Sequence, residues 1–215
     1  MKKSVVYWSP CLDKVGTIKS TLNSAISLAK YSKDYDVTII NVFGEWSSHY
    51  KYLEQNNVKL QNLTFDYYNL LPKKGFLKSR LSYIIIFLIS SIPLLLLIKK
   101  NKPDYLIIHL ITSLPLFLLN FFKLKTQVIL RISGFPKMNL LRKKLWIKSQ
   151  NKIFKITCPT EQLKNDLITK NIFKDEKVET LFDAIINIKD LIQKKNEIDF
   201  KDSGTIQKNF FLSAG

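Results

Sequence analysis

Two short, almost unbroken apolar runs frame the stretch from Pro103 to Pro136. One is 104–109 (Asp-Tyr-Leu-Ile-Ile-His) and the other is 127–131 (Gln-Val-Ile-Leu-Arg). A strand that is apolar on both faces needs cover on both faces. The helical spacing between the two runs supplies the crossover, so the pair predicts neighbouring parallel strands in a sheet clothed by helices. Each run ends in a polar or special residue: His109 on the first, then Arg131, Ser133 and Gly134 on and just after the second. Open parallel sheets bind ligands beyond the carboxyl ends of their strands, so function is sought there.

The same alternation runs along the chain. Residues 3–8 predict a first strand, and 9–17 a loop. Residues 18–30 predict a helix with Ile18, Leu22, Ala25, Ile26, Leu28 and Ala29 near one face and Thr17 as its N-cap. A second strand at 36–42 completes a strand–helix–strand unit with a right-handed crossover. A short helix at 45–55, a strand at 58–65 and a polar, mobile loop at 66–78 with Pro72 and Gly75 follow. Further helices are expected at 114–122, 138–150 and 161–170, the last capped by Thr160, and further strands at 152–157 and 178–181. The fold class is α/β, a Rossmann-like doubly wound parallel sheet with helices on both faces.

The most apolar segment, 81–98, has 18 residues and basic ends at Arg80, Lys99, Lys100 and Lys102. As a helix it is about 27 Å long, marginal for a bilayer. Ser82, Ser90, Ser91 and Pro93 weaken a spanning role, and the strand beginning at Asp104 opposes it, because a span there would divide one sheet across a membrane. The preferred expectation is a helix packed on the sheet, with surplus apolar surface that can rest on a membrane. A spanning helix is the competing reading.

With 215 residues the chain holds one full α/β domain, or one and a fraction. Its 34 basic and 17 acidic side chains leave a net charge of +17, which suits an anionic partner. The lysines are scattered rather than striped, and a nucleic-acid surface needs a clustered basic face with interleaved aromatics. No nucleic acid is therefore expected, although a non-catalytic basic protein on membrane or nucleic acid is the runner-up to an enzyme. Cys11 and Cys158 are too few for a disulfide scaffold and lack metal-ligand spacing, which fits a reducing cytoplasm. Residues 1–8 carry two lysines and then too few apolar residues for a signal peptide. The expected organisation is a domain at 1–187, a polar linker at 188–208, and a strand at 209–215 that opens a further domain.

Four strand ends converge if the sheet runs one way. Gly16 stands near a helix start, where backbone amides favour an anion, though for a lone glycine a plain turn is the stronger reading. The three-glycine dinucleotide fingerprint and the phosphate loop are absent from the sequence. His109 is one of two histidines. It either is a satisfied structural residue or bonds a sugar hydroxyl and assists proton transfer. Arg131 at the end of a buried strand needs an anion or several carbonyls, and a ligand's phosphate or carboxylate or a structural salt bridge would supply the anion. Cys158 reads more readily as a small buried hydrophobe than as a nucleophile.

The order and spacing of several motifs resemble the N-terminal domain of GT-B glycosyltransferases of the family-4 type. They are Val15-Gly16-Thr17 before a helix, 102–109 (Lys-Pro-Asp-Tyr-Leu-Ile-Ile-His) with Ser113-Leu114-Pro115, 129–137 (Ile-Leu-Arg-Ile-Ser-Gly-Phe-Pro-Lys), 156–160 (Ile-Thr-Cys-Pro-Thr) and 211–215 (Phe-Leu-Ser-Ala-Gly). The resemblance implies two Rossmann-like domains facing across a cleft, the first holding the acceptor and the second a nucleotide sugar. It implies transfer with retention of configuration, with the donor as substrate and with neither cofactor nor metal. Gly16 and Thr17 would border the donor phosphates; His109, Arg131, Ser133 and Gly134 would line the acceptor side. The implied acceptor is a polysaccharide or lipid-linked saccharide of the cell envelope, met at the cytoplasmic face of an anionic membrane. The family often has paired glycines in the first loop, where this chain has Gly16 alone. Its donor-holding residues lie in the second domain, so this polypeptide alone is expected to have little or no activity.

Overall fold

The computed structural model describes residues 2–12, 16–72, 75–183 and 192. The chain divides into a unit Met1–Ile185 and a short unit Ile186–Gly215. The linker and final strand expected at 188–208 and 209–215 lie outside the described residues, Ile192 apart.

Seven strands form one parallel sheet. They are β1 (Lys3–Trp8), β2 (Tyr35–Asn41), β3 (Lys59–Asn62), β4 (Tyr105–Ile108), β5 (Gln127–Arg131), β6 (Lys155–Cys158) and β7 (Val178–Thr180), in the spatial order β3-β2-β1-β4-β5-β6-β7. The first strand is central: Val6 pairs with Thr38 of β2 on one side and Leu106 of β4 on the other. Order reverses at β1, which makes the β1/β4 edge the switch point where such sheets open a ligand crevice. Connecting helices are α1 (Gly16–Tyr31), α2 (Tyr50–Gln55), α3 (Phe76–Asn101), α4 (Ser113–Phe121), α5 (Leu140–Ser149) and α6 (Glu161–Thr169).

Side chains alternate across a strand, and β1 shows the consequence. Val5 and Tyr7 enter a core with Leu22 and Ala25 of α1 and Leu53 of α2. Val6 and Trp8 enter a second core with Ile86, Leu94 and Ile98 of α3 and Leu114 and Leu118 of α4. Both faces are therefore covered, as the unbroken apolar strands require.

The helix expected at 81–98 is packed against the sheet and is longer than that segment. It begins at Phe76, after Gly75, whose φ of +96° is open to glycine. It ends at Lys102, a left-handed residue whose N–H bonds the Ile98 carbonyl 2.9 Å away, just before Pro103. By length and composition Leu77–Asn101 is apolar enough to cross a membrane, yet 33% of its most apolar window is buried inside the fold. The loop expected to be mobile at 66–78 is partly docked: Tyr67 and Leu71 are buried, and Ser82 Oγ donates to the Pro72 carbonyl at 2.6 Å. Thr17 does not cap α1, which already starts at Gly16, whereas Thr160 does cap α6, accepting from the Leu163 N–H at 3.1 Å.

Candidate functional site

The carboxyl ends of β1, β4 and β5 lie side by side, with Trp8 beside Ile108 and Ile108 beside Leu130. Beyond Ile108 the ladder holds for one more bond, His109 N–H to the Trp8 carbonyl at 2.9 Å. This places the imidazole between α1 and the turn after β5. Its Nδ1 lies 2.9 Å from Thr21 Oγ1, and its Nε2 contacts Ser133 Oγ. Ser9 Oγ continues the chain, 3.1 Å from Thr21 Oγ1. Four side chains from four segments are thereby linked.

His109 is buried, and its pKa falls to about 4, chiefly through burial and then through the nearby Arg131 charge, with Asp183 opposing. The ring is therefore neutral at physiological pH, donating through one nitrogen and accepting through the other. A neutral ring of this kind can orient a hydroxyl at Ser133 or accept its proton.

Arg131 is satisfied internally. Its Nε donates to Asp183 Oδ1 at 3.1 Å, Nη2 to the Leu181 carbonyl at 2.9 Å, and Nη1 to Thr157 Oγ1 at 3.4 Å; Nη2 also pairs with Asp183. Ser20 Oγ donates to the same carboxylate oxygen at 2.7 Å. Burial resists the Asp183 charge, but Arg131 and Ser20 outweigh it and hold its carboxyl below the usual range. Of the two anions considered for Arg131, the structural one is present.

A cavity of about 500 Å³ opens beside these residues, and His109, Arg131, Ser133 and Gly134 all line it. The turn from His109 into α4 contributes Ile111, a β-branched residue held at φ +46°. Such a conformation is strained, and Trp8 Nε1 steadies it by donating to the Ile111 carbonyl at 3.2 Å. Gly16 and Thr17 are not among the described lining residues. A Cβ added at Gly16 meets nothing within 4 Å among the described residues, and the buried Thr17 hydroxyl finds no partner among them. Cys11 and Cys158 are buried free thiols, and burial pushes the Cys158 thiol up, away from nucleophilic use. No group of three or more metal-ligating side chains occurs among the described residues. Four contributors carried no sequence signal of their own: Thr21 and Asp183 in the networks, and Arg80 and Arg142 in the cavity wall.

No family model and no curated protein matches this sequence. Solved structures do resemble the fold. UDP-GlcNAc 2-epimerase from Neisseria meningitidis, bound to UDP-GlcNAc, aligns with a TM-score of 0.54 at 16% identity, over 92% of this chain and 51% of its own. UGT73P12 of Glycyrrhiza uralensis, complexed with glycyrrhetinic acid 3-O-monoglucuronide, aligns with a TM-score of 0.59 at 10% identity, over 85% and 48%. UDP-N-acetylglucosamine 2-epimerase from Rickettsia bellii gives 0.51 at 11% identity, over 93% and 49%. The chain thus spans about half the length of these structures, and its fold is one Rossmann-like half of the GT-B architecture.

Proposed function

We propose that this chain is the acceptor-side half of a retaining glycosyltransferase that moves a sugar from a nucleotide-sugar donor to a saccharide acceptor, polysaccharide or lipid-linked, at the cytoplasmic membrane face. The reading is carried by the cavity beyond the carboxyl ends of β4 and β5, where the neutral His109, Ser133 and Gly134 offer hydrogen-bonding groups suited to a sugar hydroxyl. The family-4 assignment rests on the motif resemblance alone; the fold supports the GT-B architecture. Donor binding belongs to a second lobe, so Gly16 and Thr17 meet the donor only when that lobe is present, and this polypeptide alone turns over little or no substrate.

Half of a nucleotide-sugar epimerase is the second reading, favoured by the likeness to two such enzymes. Among the described lining residues there is no carboxylate to serve acid–base isomerisation, which favours the transferase.

The test is ligand perturbation by NMR on the full chain. Oligosaccharides should shift the His109 and Ser133 resonances, and H109A should abolish the effect. Uridine diphosphate shifting those resonances while no saccharide does would overturn the acceptor-side reading, and normal turnover by the purified chain would overturn the half-enzyme reading.

A further inference from the structure

α3 has no polar face. From Leu81 to Ile98 it carries no charged side chain, and apolar residues occupy nearly its whole circumference. A helix apolar all round is normally covered all round. Ile86, Leu94 and Ile98 face the core of the sheet. The other side carries Leu77, Leu81, Ile84, Leu88, Ile92 and Leu96, at spacings of three and four residues and each at least 50% exposed. This row runs roughly 28 Å. The apolar surface does not stop at α3. Phe87, three residues from Ile84, meets Phe117 of α4 edge-on, with 5.4 Å between ring centres. Phe117 lies against Phe121 at 4.4 Å, and Lys148 of α5 places its Nζ 5.2 Å from the centre of the Phe121 ring. One surface therefore crosses three helices, and soluble chains rarely leave so much contiguous apolar area without a partner.

The charge pattern selects among partners. Residues 67–160, which include α3, α4 and α5, hold 17 of the 34 basic side chains but one of the 17 acidic ones, Asp104. That acid stands just ahead of β4 and accepts from the Ser4 N–H at 2.7 Å. The lysines are spread along the chain; the acids are not. Lys99 and Lys100 close the α3 row at one end, and Lys143, Lys144 and Lys148 stand exposed on α5. A second copy of this chain would set cation against cation across a two-fold interface. Nucleic acid is held by a basic groove with stacking aromatics, not by a row of leucines and isoleucines. A spanning helix would pull Leu94 and Ile98 out of the core that they share with Val6 and Leu106. An anionic bilayer meets both features, because acyl chains cover the aliphatic row while headgroups answer the lysines.

We propose that α3, with the adjoining parts of α4 and α5, is a docking face for an anionic lipid bilayer, on which α3 lies along the membrane plane and its outer row of leucines and isoleucines enters the acyl boundary. This deepens the membrane-face reading above and rests on it. Attachment is reversible, because no part of α3 leaves the fold, and it weakens with salt as the lysine charges are screened.

The test is co-sedimentation of the full chain with vesicles of phosphatidylcholine alone and of phosphatidylcholine mixed with phosphatidylglycerol. Binding to the anionic vesicles should be at least about tenfold tighter at low salt, and the ratio should shrink at high salt. Leu88→Lys with Ile92→Lys should weaken binding to the anionic vesicles at least about tenfold although it adds positive charge, which a purely electrostatic contact would not do. K99Q, K100Q and K148Q together should cut the preference for anionic vesicles about tenfold. Y31K, at an exposed position on α1, should leave binding unchanged. Far-UV circular dichroism checks that each variant is folded, and Leu88→Gln with Ile92→Gln replaces the lysine pair if that pair unfolds the chain. Equal binding to both vesicles, binding to neither, or indifference to the Leu88 and Ile92 changes would overturn the proposal. So would retention after an alkaline carbonate wash, which would make α3 a span, or a dimer in sedimentation equilibrium that those changes convert to monomer. The two readings separate. Vesicle binding that depends on Leu88 and Ile92, without saccharide shifts at His109, keeps this face and removes the acceptor-side reading. Saccharide shifts without vesicle binding do the reverse.

Discussion

Arg131, the last residue of β5, and Asp183, just past β7, are joined through two guanidinium nitrogens to one carboxylate oxygen, the Nε donor at 3.1 Å. Because Ser20 of α1 bonds the same oxygen at 2.7 Å, this pair ties the first helix, the centre of the sheet and the chain leaving it. D183N keeps an acceptor but removes the charge that answers a buried guanidinium. We expect a loss of about 1–3 kcal/mol in urea unfolding, discounted for the partial exposure of Asp183. Since its folded pKa is depressed, the stabilisation is present above the usual carboxylate range and disappears as pH falls through the folded value. D183N should lack that acid-side loss; an unchanged urea midpoint would show that Thr157 and Leu181 suffice for Arg131.

His109 gives an effect of opposite origin. Its folded pKa of about 4 lies below the ordinary imidazole value of 6.5, so protons bind the unfolded chain first as pH falls. Stability is unaffected above 6.5 and declines from there to about 4, where both states are protonated. Carbon-13 NMR of the ring should show no titration down to pH about 5. A midpoint near the ordinary value would mean that the ring is solvated.

Glu45 has the opposite sign to both. Both its carboxylate oxygens accept backbone N–H groups, from Val42 at 3.1 Å and Phe43 at 2.8 Å. Burial nevertheless dominates and raises its pKa to about 7. The folded state holds the proton longer, so this residue's contribution falls as pH rises from 4.5 to about 7 and is level above. E45Q should remove that decline and leave the His109 rise exposed in pH-dependent unfolding. Parallel pH profiles for E45Q and the parent would refute the assignment.

Two leucines on α3, Leu88 and Leu94, separate its two roles. Leu94 is fully buried in the larger core and Leu88 is 69% exposed. L94A should cost about 2–5 kcal/mol and L88A within about 0.5. Equal small effects in denaturant unfolding would mean that the helix is not part of the sheet's core.

The sheet was legible because buried parallel strands write themselves as apolar runs, and the predicted strands fall within a few residues of β1 to β7. The start of α3 was obscured by Pro72 and Gly75, which read as a longer loop, while the structure begins the helix right after Gly75. The site was half legible. His109, Arg131, Ser133 and Gly134 gather because each sits at or just beyond a strand's carboxyl end. Asp183 was invisible as the answer to Arg131, since 52 residues separate them and no periodicity links a lone acid to a strand-end cation. Thr21 looked like any polar helix position, and Arg80 and Arg142 like ordinary basic residues near helix starts. Thr17 was misread as a cap because Gly16 already adopts the helical conformation.

The central place of β1 has a consequence for synthesis. During synthesis β1 meets β2 early, but its other flank stays open until β4 emerges; Ser4 and Asp104, which bond across that seam, are 100 residues apart. In the interval the nascent chain presents Val6 and Trp8 and the whole of α3 without their cover. Vectorial growth therefore exposes its most adhesive surfaces for the longest time. Slower elongation through the segment between β2 and β4 should raise the demand for chaperones more than the same delay placed after β5.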